Sequence, residues 1–362
     1  MYKVTLFLVL VISNGFSIQK PELLNLKTKT KTKTKQIATI GPSVDSYDQL
    51  YNLHKNGVSI FRINLSHGKY DKVIEWVDIL NKIKSKSDDE LNIMVDLQGP
   101  KHRIGNIKNC MLEEGNEFIL DRDTKIGNNH RVNLPHDEIY FHVKENDIIL
   151  LDDGLLELKV KDCVENSRII TEVIRGGELK SKKGFNIPYV DINWIKPTPK
   201  DEKDINFINE LNIDYVAVSF VDDAKDIFNI WRLLRNKVKI IAKIERPNAV
   251  DNLDEIIDSS DGIMIARGDL GIEMGIEKVP FIQKLAIKKA LKEKCEAFVA
   301  TQMMESMINN KIPTRAEVSD VANAVLDGAT GVMLSAETSV GKYPIDCVKI
   351  QRKILDETEQ YL

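Results

Sequence analysis

Charged and polar side chains gather at the ends of short apolar runs in this sequence. Arg62-Ile63-Asn64-Leu65-Ser66-His67-Gly68 closes one run, and a two-residue period sets Arg62, Asn64 and Ser66 on one side with Ile63 and Leu65 on the other. Asp96 ends a second run, Lys243-Ile244-Glu245 a third, Arg267-Gly268-Asp269 a fourth, Thr301-Gln302 a fifth and Ser335 a sixth. Singly, each has a bland reading: Lys243 and Glu245 as an internal ion pair, Arg62 as a carboxylate anchor, Asp269 as a helix cap. Together, two cations and several carboxylates at the same end of successive strands suit metal-assisted chemistry on an anionic substrate. Oxygen ligands hold Mg²⁺, while Arg and Lys neutralise phosphate charge.

For these residues to meet, one architecture must bring the ends of many strands together. After residue 35, β-rich apolar runs alternate with helical patterns of ten or more residues, as in parallel βα units. Eight such runs fall at 36–40, 58–64, 92–96, 215–219, 239–243, 262–266, 297–300 and 331–334, the number that a closed TIM (β/α)8 barrel requires. Thr314 with Glu317 predicts a capping box, and Asp327-Gly328 the end of that helix. The spacing breaks once, after residue 96. Strand-like stretches at 148–151, 155–160 and 168–173 alternate there with Gly-containing turns, which predicts a small inserted β domain of barrel-like form. An insertion at the C-terminal end of a barrel strand overhangs the face where barrel sites lie, so it is expected to act as a lid. The division expected is a leader over 1–35, a barrel over 36–100 and 197–362, and a lid over 101–196.

The leader differs in kind. Lys3, an apolar run from residue 4 to 12 and then Ser13-Asn14-Gly15 read as a secretory signal too short to span a membrane. The alternating Lys/Thr tract that follows reads as a solvated linker or a basic transit segment. A signal followed by such a tract resembles leaders that route proteins through the secretory system into plastids; a cytoplasmic location is the alternative. The sequon Asn64-Leu65-Ser66 lies among the chemical residues, where a glycan would block them, so a final compartment beyond the secretory lumen is expected. Residues 1–35 carry seven lysines and one acid, which leaves a strongly acidic body within a chain of net charge −4; nucleic acid is not an expected partner. Cys110, Cys163, Cys295 and Cys347 stand far apart with no CxxC pair, so buried thiols are expected instead of zinc or disulfides. Walker, GxGxxG, HExxH and GxSxG motifs are missing.

The blocks FRINLSHG (61–68), DLQGPK (96–101), KIERPNAV (243–250), IMIARGDLGIE (263–273) and the run from ATQMMESM to MLSAET (300–338) resemble the pyruvate kinases, over roughly residues 36 to 362. The resemblance implies transfer of the phosphoryl group of phosphoenolpyruvate to ADP, giving pyruvate and ATP, with Mg²⁺ or Mn²⁺ as cofactor. It implies Glu245 and Asp269 as metal ligands, Arg62 and Lys243 on the moving phosphoryl group, and the amides of Gly268 and Asp269 on the substrate carboxylate. Thr301 would stand beside the enolate carbon. Nucleotide phosphates would meet His67, Arg103 and Lys183, with Asp153 reaching in from the lid.

Two departures matter. The family's monovalent-cation site is represented by Asn64, Ser66 and Asp96, but its threonine position is Leu97 and its glutamate position Lys101. That pattern resembles the branch that does not need K⁺, with the Lys101 ammonium in place of the ion. His102 stands where an aliphatic residue is usual and receives no role. The chain stops after the helix following the eighth run, where relatives continue into a further domain. A homodimer and no regulation through that domain are therefore expected. A binding or scaffold protein without turnover is the alternative function.

Overall fold

The computed structural model describes residues 34–362 except His67, Tyr189, Asp191 and Asn193. The leader expectation therefore lies outside the described residues but for its last two positions, and the expectation for His67 lies outside them too.

Among the described residues, eight parallel strands close into one barrel: Lys35–Thr39, Val58–Asn64, Asn92–Asp96, Tyr215–Val218, Lys239–Ile244, Gly262–Ala266, Glu296–Ala300 and Gly331–Leu334. Each is within one residue of its expected bounds. Alternation along the strands sorts the side chains into two cores. Ile37, Ile60, Met94, Ala217, Ile241, Met264, Phe298 and Met333 fill the barrel's interior. Phe61, Ile63, Val95, Val216 and Ala242 face outward into the layer shared with the helices.

The helices complete that layer with apolar stripes at helical spacing. Tyr70–Lys84 buries Val73, Trp76, Val77, Leu80 and Ile83, and each such side chain taken from water contributes about 1.5–3 kcal/mol. Helix Arg315–Asp327 begins as its residues dictate: Thr314 accepts from Glu317 N at 3.2 Å, the Glu317 carboxylate returns to Thr314 N at 2.7 Å, and Gly328 ends the helix at φ 105°. Gly is suited there because a Cβ is disfavoured at positive φ.

Between barrel strands three and four the chain builds a separate sheet. Its six strands are hydrogen-bonded in the order Phe185–Asn186, Ile148–Leu151, Leu156–Val164, Arg168–Arg175, Glu117–Asp121, Arg131–Asn133. Cys110–Leu112 pairs apart with Gly177–Leu179. Phe118, Leu120, Tyr140, Ile149, Leu158 and Ile169 give this sheet its own core. Residues 103–108 tie its two outer edges together, with Lys182 N donating to the Gly105 carbonyl at 3.1 Å and Gly105 N to the Asn133 carbonyl at 2.7 Å, which gives the barrel-like form expected.

All four cysteines are free thiols; Cys295 and Cys347 are buried as expected, whereas Cys110 and Cys163 are half-buried. No helix among the described residues is long and apolar enough to cross a membrane.

Candidate active site

The barrel's inward face turns from apolar to polar within one step of the strand period. Two residues beyond Ile37, Ile60, Met94, Ala217, Ile241 and Met333 come Thr39, Arg62, Asp96, Ser219, Lys243 and Ser335, so the registration that packs the interior also aims a polar ring at the C-terminal mouth.

Within that ring the charges interlock. Arg62 donates from Nε to Asp96 Oδ2 at 2.7 Å and from Nη1 to Thr39 Oγ1 at 3.1 Å. Lys243 Nζ lies 3.4 Å from Asp96 Oδ1 and 2.9 Å from Glu245 Oε1, and donates to Ser219 Oγ at 2.8 Å. Ser219 in turn donates to the Leu97 carbonyl at 2.7 Å, and Glu245 Oε2 accepts from Phe220 N at 2.7 Å.

Burial sets the electrostatics. It alone opposes ionisation of Asp96, but Lys243 and Arg62 outweigh it and hold the carboxyl below its usual range. Burial also pulls Lys243 down, and Asp96 and Glu245 more than reverse that, raising it well above the ordinary lysine range. Glu245 goes the other way: burial raises it, Lys243 opposes, and the charge of Asp269 raises it further.

Glu245 Oε1 is buried without an aligned hydrogen bond even though Lys243 stands beside it. A desolvated carboxylate oxygen with a second carboxylate close enough to repel it is the donor set of a hard divalent cation, so Glu245 and Asp269 fit Mg²⁺ or Mn²⁺. The other close partner of Asp269 is Lys101, whose Nζ lies 3.3 Å from Oδ1.

The loops after strands six and seven bring in the next group. Helix Arg267–Met274 starts directly at the strand's end, which leaves the amides of its first turn facing the mouth. Gly268 N donates to Thr301 Oγ1 at 2.8 Å. Thr301 and Gln302 hold φ of 71° and 53°, a conformation that costs a non-glycine residue about 1 kcal/mol or more and needs outside support. Arg267 supplies it: Nη2 donates to the Thr301 and Gln302 carbonyls at 2.8 and 3.2 Å, while Nη1 reaches Asp320 at 2.8 Å. Arg62, Asn64, Thr301 and Ser335 line one cavity of about 810 Å³. Asn64 Oδ1 accepts from Ser66 N at 3.0 Å, which fixes the turn leaving strand two.

The lid brings a second set together by backbone pairing. Ile104 N donates to the Lys183 carbonyl at 3.0 Å, Arg103 Nη1 to the Lys182 carbonyl at 3.0 Å, and Asp152 N to the Gly184 carbonyl at 3.1 Å. Arg103, Lys183 and the Asp152-Asp153 turn are thus neighbours. Lys183 pairs with Asp152 at 2.8 Å, while Asp153 lines a cavity of about 800 Å³ together with the barrel's Gly268. Lid and barrel also meet where Asn186 donates to Glu273 at 2.7 Å.

Ser219, Thr39, Arg267 and Glu273 carried no role in the sequence reading. The two-residue period that singled out Arg62 would have found Thr39 and Ser219 if carried along every strand. Arg267 and Glu273 gave no such signal, because their partners lie 34 and 87 residues away in the chain.

The family described as pyruvate kinase, barrel domain, matches residues 31–348. The pyruvate kinase of Methylorubrum extorquens is 40% identical over 328 residues, covering 90% of this chain and 68% of that protein. The pyruvate kinase of Buchnera aphidicola is 44% identical over 330 residues, covering 88% and 69%. The crystal structure of a pyruvate kinase from Cryptosporidium parvum superimposes with a TM-score of 0.86 at 33% identity, covering 91% of this chain and 69% of that one.

Proposed function

This chain belongs to the pyruvate kinase family, and from that premise we propose how its residues divide the work of moving a phosphoryl group from phosphoenolpyruvate to ADP. The observation that carries the proposal is the continuous chain of buried contacts from Arg62 through Asp96 and Lys243 to Glu245. In the reaction the enol oxygen–phosphorus bond breaks, a bond from phosphorus to a β-phosphate oxygen of ADP forms, and the enolate takes a proton at its terminal carbon.

Glu245 and Asp269 would hold a divalent cation which, when bound, supplies positive charge to the phosphoryl and enolate oxygens. Lys243 and Arg62 face the moving phosphoryl group. Both are already ionised and held by buried partners, so they need not reorganise as charge spreads over the phosphoryl oxygens. The Asp269 amide suits the substrate carboxylate, and the Gly268 amide would be shared between that carboxylate and Thr301 Oγ1. The Thr301 hydroxyl, fixed by Gly268 N, would orient the proton source for the enolate carbon. Arg103, Lys183 and Asp153 approach from the lid, the side from which ADP would enter, and closure would exclude water. Turnover in a coupled pyruvate assay, lost on chelation and restored by Mg²⁺ or Mn²⁺, tests the proposal.

K⁺ independence belongs to the same proposal. Leu97 is buried in the apolar layer without a hydroxyl to offer, and Lys101 brings a tethered cation to the mouth, where its acidic partner is Asp269 and not Asp96. Exposed Ile276, Phe281 and Leu285 support a barrel-to-barrel homodimer, which sedimentation tests. Import to a plastid through the leader, with a cytoplasmic location as the competing result, is tested by imaging a tagged leader.

A further inference from the structure

We infer that His102, His136 and Glu138 form a site for a transition-metal dication of the Zn²⁺ class at the root of the lid, separate from the carboxylates of the barrel mouth. One donor atom from each lies within 4.8 Å of the other two. His102 Nε2 stands 3.6 Å, and His136 Nδ1 4.0 Å, from Glu138 Oε1. Four-coordinate zinc with bonds of about 2.0–2.1 Å sets its donors roughly 3.3 Å apart, so closing the site takes a turn of the exposed Glu138 side chain and an approach of the two rings by at most about 1.5 Å. Two imidazoles and one carboxylate select a borderline-soft dication over Mg²⁺ and leave a fourth position for water.

The surroundings support ligation. His136 Nε2 lies 3.1 Å from both the amide nitrogen and the carbonyl oxygen of Arg103. The tautomer that donates to the carbonyl leaves the Nδ1 lone pair free, and a metal at Nδ1 selects that tautomer. The His102 ring is held in place by Trp194, 3.9 Å between centroids, and by the edge of His136 at 4.4 Å. Burial holds both imidazoles below their ordinary range, His102 at about 3, so protons compete little for the nitrogens at neutral pH. Among the described residues no Lys or Arg pairs with Glu138, and the two imidazoles are the ion-pair partners of its carboxylate.

The site joins the first residues of the lid to the segment around 136–138. His102 also lines a cavity of about 40 Å³ shared with Lys101, Arg246 and Glu273. Occupancy would stiffen the lid's root one residue from Lys101, the partner of Asp269.

The test is a Co²⁺ titration of the full-length protein saturated with Mg²⁺. One equivalent is expected to bind with the intense visible absorption of a four- or five-coordinate ion, and Zn²⁺ is expected to displace it. His136→Gln and Glu138→Ala should each weaken binding by ~100-fold, the scale at which metal sites respond to lost partners, while turnover with Mg²⁺ stays within about twofold. Glu138 is exposed, so its variant remains decisive if the histidine variant does not fold. The inference is overturned if the parent shows no such band, or if Glu138→Ala binds Co²⁺ as the parent does.

Discussion

In the barrel mouth, Arg62, Asp96, Lys243 and Glu245 have side chains at most 11% exposed, and each ion touches at least one of opposite sign. In the lid, Lys183 is about one-third exposed with a single acidic partner, and Arg103 is anchored by its guanidinium to one backbone carbonyl. The mouth is preorganised because every charge there was desolvated on folding and has a fixed partner. The lid's cations keep much of their hydration, so exchanging Asp152 for a ligand phosphate costs little. One scaffold thus carries a rigid, fully paired centre and an adaptable rim, the division that the proposed function calls for.

The largest effect should come from breaking the rigid side. Lys243→Met is expected to lower kcat by about 10³-fold or more, since it removes a transition-state charge. It should also cost roughly 3–5 kcal/mol in denaturant unfolding, because Asp96 and Glu245 are left buried and less compensated. A variant that keeps parental stability would show the ion chain to be looser than the geometry indicates.

The lid should respond differently. Lys183→Ala is expected to raise KM for ADP by ~10-fold, the loss of one charge-assisted phosphate contact, with stability changed by less than about 1 kcal/mol. Steady-state kinetics at varied ADP, beside a melting curve, separates the two; a fall in kcat at unchanged KM would place Lys183 with the rigid group.

A change of less than about two-fold in turnover is expected when K⁺ is replaced by a large organic cation, because Lys101 supplies a cation that is part of the chain. Leu97→Thr combined with Lys101→Glu should create K⁺ dependence. Strong K⁺ stimulation of the parent would contradict that reading.

Most of the barrel was legible because its strands are apolar runs of five or so residues whose alternation also aims Arg62, Asp96 and Lys243. Local pattern sufficed there. The lid was less legible: its sheet pairs Glu117–Asp121 with Arg168–Arg175 across some fifty residues, and no local signal states such a register. Single contacts across elements were hidden for the same reason. Lys101 meets Asp269 at a separation of 168 residues, and the packing of His102 against Trp194 depends on how the lid's two ends return to each other. Arg267 adjoins Gly268 and Asp269 in the sequence, yet its guanidinium is committed to the strained backbone at Thr301 and Gln302, 34 and 35 residues on.

In the proposed function, Glu245 and Asp269 hold the activating dication beside Lys243 and Arg62. Mn²⁺ dependence of turnover, measured for the parent and for Glu245→Gln and Asp269→Asn, tests it most directly. Saturable activation of the parent is expected, with a Mn²⁺ requirement raised at least ~100-fold in each variant. Activation of both variants at the parent's Mn²⁺ concentration would contradict it.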